Sequence, residues 1–101
     1  VEAVTAVALT TPSEPLRIEV LTLLSGVGWP MASVVLHWCH TAPYPILDFR
    51  ALWSLGVAPL PSYDFPLWRA YTDHCREMAA AAGVSMRDLD RALWQFSKEN
   101  L

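Results

Sequence analysis

Two glycines around one valine, and a single aspartate about one helix length further on, are the residues of this chain best placed to do chemistry. The first stretch reads Leu24-Ser25-Gly26-Val27-Gly28-Trp29-Pro30, and after an apolar run the second closes as Tyr44-Pro45-Ile46-Leu47-Asp48. Glycine reaches positive φ without a Cβ clash, so Gly26 and Gly28 can build a tight hairpin with bare N–H groups. A predicted helix follows the hairpin, and its first turn favours an anion such as a backbone phosphate. An ordinary tight turn between packed helices is the competing reading. Asp48 can cap the helix that follows it. It can also stabilise an oxocarbenium-like transition state or orient water at a glycosidic carbon, since capping occupies only one of its oxygens. Trp29 fits three roles: lying on a nucleic-acid backbone, filling the core, or marking a subunit interface.

In order and spacing these residues resemble the helix-hairpin-helix DNA glycosylases, the superfamily of endonuclease III and the adenine-mismatch glycosylase. Family hairpins read Leu-Pro-Gly-Val-Gly, and Leu24 to Gly28 stand in that place. The adenine glycosylases continue with an aromatic residue and Pro-Ile-Leu-Asp, matched by Tyr44 to Asp48. Ala32 and Ser33 fall where the family's second helix packs closely on its first. The match runs from about Leu16 to Leu55. It implies that Asp48 holds the position of the catalytic aspartate. It also implies that Gly26, Val27 and Gly28, with Trp29 beside them, form the phosphate-binding hairpin, to which a monovalent cation can be bound through carbonyls.

Three departures shape what the resemblance implies. Bifunctional members carry a lysine nucleophile two residues after the second hairpin glycine, whereas Pro30 stands here and Lys98 is the only lysine. Any enzymatic activity is therefore expected to be monofunctional N-glycosidic hydrolysis without lyase chemistry. An iron–sulfur cluster takes four cysteines and the chain has only Cys39 and Cys75, so no such cofactor is expected. Only Val1 to Pro15 precede the hairpin helix, which corresponds to the C-terminal half of a glycosylase. A companion chain, a second copy or upstream residues would then complete the base pocket.

Composition bounds the rest. A chain of 101 residues is one domain with a modest core. A 53% apolar content with five tryptophans excludes a disordered tail and leaves apolar surface to spare for a partner. The net charge of −3 argues against tight nonspecific duplex binding, although six of the seven basic residues are arginines that could share one face. Two unpatterned cysteines suit a reducing interior. Val1 to Thr11 is apolar but lacks a basic leader and is too short to span a bilayer. The expectation is a cytoplasmic, all-α, compact multi-helix domain with no membrane contact.

Helices are predicted at Val1 to Thr10, from the Ser13 cap to Gly26, and from about Pro30 to His40. The helix-hairpin-helix unit thus spans about residues 15–41. Leu16, Val20, Leu23 and Leu24 are the expected core stripe of its first helix. Met31, Val34, Val35 and Trp38 are that of its second. Pro43 and Pro45 enforce an extended connector. A short aspartate-led helix follows at about residues 48–56, and Val57 to Pro66 is a proline-rich loop. Asp64 caps a helix at about residues 65–82 ended by Gly83, and Ser85-Met86-Arg87-Asp88 resembles a capping box for a last helix at about residues 86–99. That helix carries Met86, Leu89, Leu93 and Phe96 on one face.

His37, Cys39, His40, His74 and Cys75 could invite a metal. No C-x-x-C or H-E-x-x-H frame supports one, and core or capping histidines are the expectation. Arg69 and Arg76, or Arg87 and Arg91, could touch phosphates. Asp73, Glu77, Asp88 and Asp90 lie close enough in sequence to pair with them instead. Trp53 and Trp68 read as core, and Trp94, one residue off its helix's apolar stripe, as a possible exposed contact. The functional reading is a DNA-binding helix-hairpin-helix module related to base-excision glycosylases. The alternative is a non-catalytic helical domain that binds protein.

Overall fold

Polar side chains just ahead of apolar runs set most of the helix starts. A computed structural model describes residues 2–101. They form α1 (Glu2–Thr10), α2 (Glu14–Thr22), α3 (Trp29–Cys39), α4 (Phe49–Ser54), α5 (Phe65–Ala82) and α6 (Met86–Asn100), with no strand among the described residues. Ser13, Asp48, Asp64 and Ser85 each accept the N–H three residues on, from Leu16, Ala51, Leu67 and Asp88 respectively. Each satisfies a donor that the helix itself leaves unpaired. Proline in the first turn of α2, α3 and α5 costs nothing, because that N–H has no partner inside the helix. The expected first helix begins at Val1, which lies outside the described residues.

The chain folds on itself in two stacks. α1 packs on α2 and α2 on α3, while α6 packs on both α4 and α5. Ile18, Leu21, Leu36, Tyr44, Leu47, Leu52, Trp68, Cys75, Leu89 and Leu93 share one core. The Cα radius of gyration is 13.4 Å, as expected for a compact domain of this length. None of the described helices is long and apolar enough to cross a membrane.

Two of the expected core stripes are met only in part: Val20 and Val35 pack half-buried against the core, while other members point outward. In α2 the buried residues are Ile18 and Leu21, while Leu16 is exposed and Leu23 is 79% exposed. The inward face of α2 begins with Glu14 and Arg17, whose charges are met by partners on other elements. Hydrophobic periodicity cannot find a face that is led by an ion pair. In α3 the buried residues are Ala32, Ser33 and Leu36, and Trp38 is 60% exposed. Small side chains there admit a close neighbour, and volume rather than hydropathy decides the face. α2 also ends at Thr22 rather than Gly26, since the N–H groups of Leu23 and Leu24 turn to carbonyls three residues back, Val20 and Leu21. In α6 the buried fourth position is Ser97, and Phe96 is 51% exposed.

Candidate functional site

The connector between α3 and α4 carries Asp48 at its end, and side chains from two helices, α3 and α5, hold its backbone. Arg76 Nε donates to the Pro43 carbonyl at 2.9 Å and His37 Nδ1 to that of Tyr44 at 2.7 Å. The Tyr71 hydroxyl donates to the Ile46 carbonyl at 2.8 Å, and the Leu47 N–H donates to Ser33 Oγ at 2.8 Å. An extended strand without a sheet has no ladder partners, and these four bonds replace them. Ser33 in turn donates to the Pro30 carbonyl at 2.6 Å. One hydroxyl therefore links the first turn of α3 to the residue before Asp48.

Behind the connector lies a charge cluster centred on Glu14. Arg76 gives its carboxylate two bonds of 2.9 Å, the Tyr44 hydroxyl donates one of 2.8 Å, and Arg69 donates another. Arg17 donates to the Tyr44 oxygen at 2.8 Å. The Arg76 bonds foremost, with those of Tyr44 and Arg69, hold Glu14 down to about 2 against the opposing effect of burial. Arg69 and Arg76 were expected to pair along their own helix. Their main partner is instead on α2, with only a longer Arg69–Asp73 contact of 3.8 Å on α5.

The α2–α3 turn is closed by the Val27 N–H on the Leu24 carbonyl at 3.1 Å. Gly26 has φ +79°, a value at which a Cβ is strained, so glycine is required there by backbone geometry alone. Gly28 is different. Its φ of −94° is ordinary, contrary to the positive φ expected of both glycines, because it serves as the N-cap of α3 in an extended conformation. A Cβ on Gly28 would meet nothing nearer than Pro30 Cδ at 3.8 Å. Among the described residues no side chain caps this end and no acidic residue sits in its first turn, so the N–H groups of Gly28, Trp29 and Met31 have no partner within the helix. Trp29 is half-buried and packs its ring 6.4 Å from that of Phe65, which favours a core role for it.

Asp48 opens into a cleft of about 510 Å³ between the start of α4 and α6, shared with Asp90, Arg87, Arg91, Trp94 and Gln95. One of its oxygens accepts the Ala51 N–H at 2.8 Å. The other carries no hydrogen bond from the described residues. Burial, opposed by His37 and reinforced by the Asp48 charge, holds Asp90 above the usual carboxylate range. Arg87 lies 3.9 Å from Asp90 and stacks its guanidinium 4.5 Å over Trp38. The cleft thus offers two carboxylates beneath a cationic and aromatic rim. Such a set can accept N–H donors of a ligand and hold anionic groups at its edge.

The other sequence candidates disperse. His40 accepts the Ala42 N–H through Nδ1 at 3.0 Å and caps the end of α3, while burial and Arg17 keep it below the usual imidazole range. Cys39 is exposed and Cys75 buried. Burial pushes the Cys75 thiol up to about 11, so it is no nucleophile at neutral pH. Among the described residues, no group of three His, Cys, Asp or Glu side chains gathers as a metal site. The sequence offered Asp90 only as a partner for arginine, and on α6 it singled out Arg87 and Arg91 as alternative phosphate contacts and Trp94 as an exposed contact without linking them to Asp48. The spacing of Arg87, Arg91, Trp94 and Lys98 was the signal that could have found the rim. Neither a family model, nor a curated protein, nor a solved structure matches this chain.

Proposed function

We propose that this chain is a DNA-binding module of the helix-hairpin-helix glycosylase type, with the α2–α3 turn on a phosphate and Asp48 at the reacting base. The observation that carries this reading is the hydrogen-bonded path from the turn to Asp48. Ser33, bonded back to Pro30 in the first turn of α3, accepts the N–H of Leu47, and the next residue presents a carboxylate oxygen to a cleft wide enough for a nucleobase. A site that must set a carboxylate at fixed range from a bound backbone benefits from such a tie. Gly28 supports the reading too, since nothing in the fold itself needs a glycine there. In this reading Asp48 stabilises positive charge on the sugar while water attacks, and Asp90, which burial holds above the usual carboxylate range, lines the same cleft. No lysine stands near the turn, so strand cleavage is not part of the activity.

The deciding experiment is binding of a labelled duplex, with and without an abasic-site analogue, across a salt series. Salt-sensitive binding that prefers the abasic analogue supports the module and directs a screen of damaged bases. Absence of binding at low salt removes it. A second reading, a protein-interaction domain, draws on the exposed Leu23, Met31 and Trp38 along α2 and α3. Retained partner binding in a variant that cannot hold DNA would select it.

A further inference from the structure

The basic residues of this acidic chain are divided in two. Arg17, Arg69 and Arg76 converge on Glu14. The other four, Arg50, Arg87, Arg91 and Lys98, all lie on α4 and α6. Arg50, Arg91 and Lys98 form no ion pair among the described residues. Their spacing along α6, Arg87, Arg91, Trp94 and Lys98, puts them on one stripe beside the buried Met86, Leu89, Leu93 and Ser97.

Aromatic rings alternate with these charges. The Arg50 guanidinium lies 5.4 Å over the Phe49 ring and 5.6 Å over the Trp94 ring, and the Lys98 ammonium lies 5.2 Å over Trp94. Phe49 is 54% exposed and Trp94 41% exposed, so neither ring is spent on the core. The row begins at Phe49, next to Asp48, and Arg91 and Trp94 also line the Asp48 cleft. We propose that this Phe49–Arg50–Trp94–Lys98 row, with Arg87 and Arg91 beside it, is a docking track for a single strand of nucleic acid whose base enters the Asp48–Asp90 cleft.

The chemistry of the two parts selects that ligand. Cations at the rim meet phosphates, and an exposed aromatic ring among them stacks a base without regard to its identity. The cleft floor carries Asp48 and Asp90, which repel the carboxylates of an acidic peptide and accept the N–H donors on a base edge. A polyanion with uncharged, N–H-bearing rings satisfies both. The track extends the proposed function by naming the state of the substrate, an unpaired nucleotide next to the reacting position, and it rests on that reading only for the chemistry at Asp48.

The test is anisotropy of a short labelled single-stranded oligodeoxynucleotide and of the duplex, read on the full chain and its variants. Trp94→Ala is expected to weaken single-strand binding about tenfold, with Trp94→Phe recovering most of it. Arg91→Ala combined with Lys98→Ala should flatten the salt dependence by about 1.4 in log–log slope. Gly28→Asp should abolish duplex binding and leave the single strand bound. All these positions are exposed, and a thermal melt of each variant reports any loss of fold. Duplex binding without single-strand binding overturns the track and spares the hairpin reading, and no binding of either overturns both. Single-strand binding indifferent to Trp94→Ala, or displaced equally by polyglutamate, also overturns it and marks the row as a generic anion or protein contact.

Discussion

Ser33 Oγ and the Leu47 N–H, 2.8 Å apart in the core, join the helix that follows the glycine turn to the connector that delivers Asp48. Both residues are fully buried. The bond therefore has no water to replace it, and its loss leaves a donor stranded.

Ser33→Ala is expected to lower stability by about 1–3 kcal/mol, the cost of an unsatisfied buried N–H. Any base release should fall further than the stability loss explains, because Asp48 loses its tether. Urea unfolding gives the first quantity and single-turnover kinetics the second. A change in stability below about 0.5 kcal/mol would show the tether to be dispensable.

Asp48 separates capping from chemistry. Asparagine caps nearly as well as aspartate, whereas alanine costs about 1 kcal/mol. Asp48→Asn should keep the melting temperature and lose base release, and Asp48→Ala should lose both in part. Base release unchanged in Asp48→Asn removes this carboxylate from the mechanism.

The two glycines should respond in opposite ways. Gly26→Ala strains a backbone held at φ +79° and is expected to cost about 1–2 kcal/mol. Gly28→Asp places a good N-cap residue at the start of α3 and should hold or raise stability by a few tenths of a kcal/mol. The same carboxylate repels a phosphate, so duplex binding should vanish in a protein that melts no lower than wild type. Duplex affinity maintained in Gly28→Asp would exclude α3 from phosphate contact.

Acid should weaken the fold through Glu14. Arg17 on its own helix, Tyr44 and His40 on the connector, and Arg69 and Arg76 on α5 surround it. Its carboxyl titrates at about 2 in the fold against 4.5 when free. A depressed carboxylate stabilises fully above its unfolded value, so the contribution is intact above pH 4.5 and fades as pH falls towards 2. Allowing for solvent at the rim of the cluster, it is worth roughly 1–2 kcal/mol. The stability gap between wild type and Glu14→Gln, followed by urea midpoints, should narrow across that window. A gap independent of pH would assign the cluster's value to packing of Tyr44 and Trp68.

Local features were legible in the sequence because their causes are local. Ser13, Asp48, Asp64 and Ser85 cap the N–H three residues away, and Pro43 with Pro45 keeps their segment extended whatever surrounds it. Helix positions followed from these signals almost to the residue, as in α5 over Phe65–Ala82. Gly26 needed its positive φ for the same reason.

Faces and partners depended on elements far apart in the chain. Leu16 and Leu23 are as apolar as Ile18 and Leu21, and only the position of α1, α3 and the arginines of α5 decides which pair goes inside. Glu14 reads as a favourable first-turn acid until Arg69 and Arg76 arrive from α5. Asp90 and Trp94 reached the Asp48 cleft only because α6 packs across α4, anchored where Ser54 Oγ donates to the Leu93 carbonyl. The sequence by itself determined the helices, where they start and the presence of a capped aspartate behind a glycine turn. Tertiary structure alone decided which charges are neutralised and which remain for a ligand, since a charge is spent or free according to its neighbours in space.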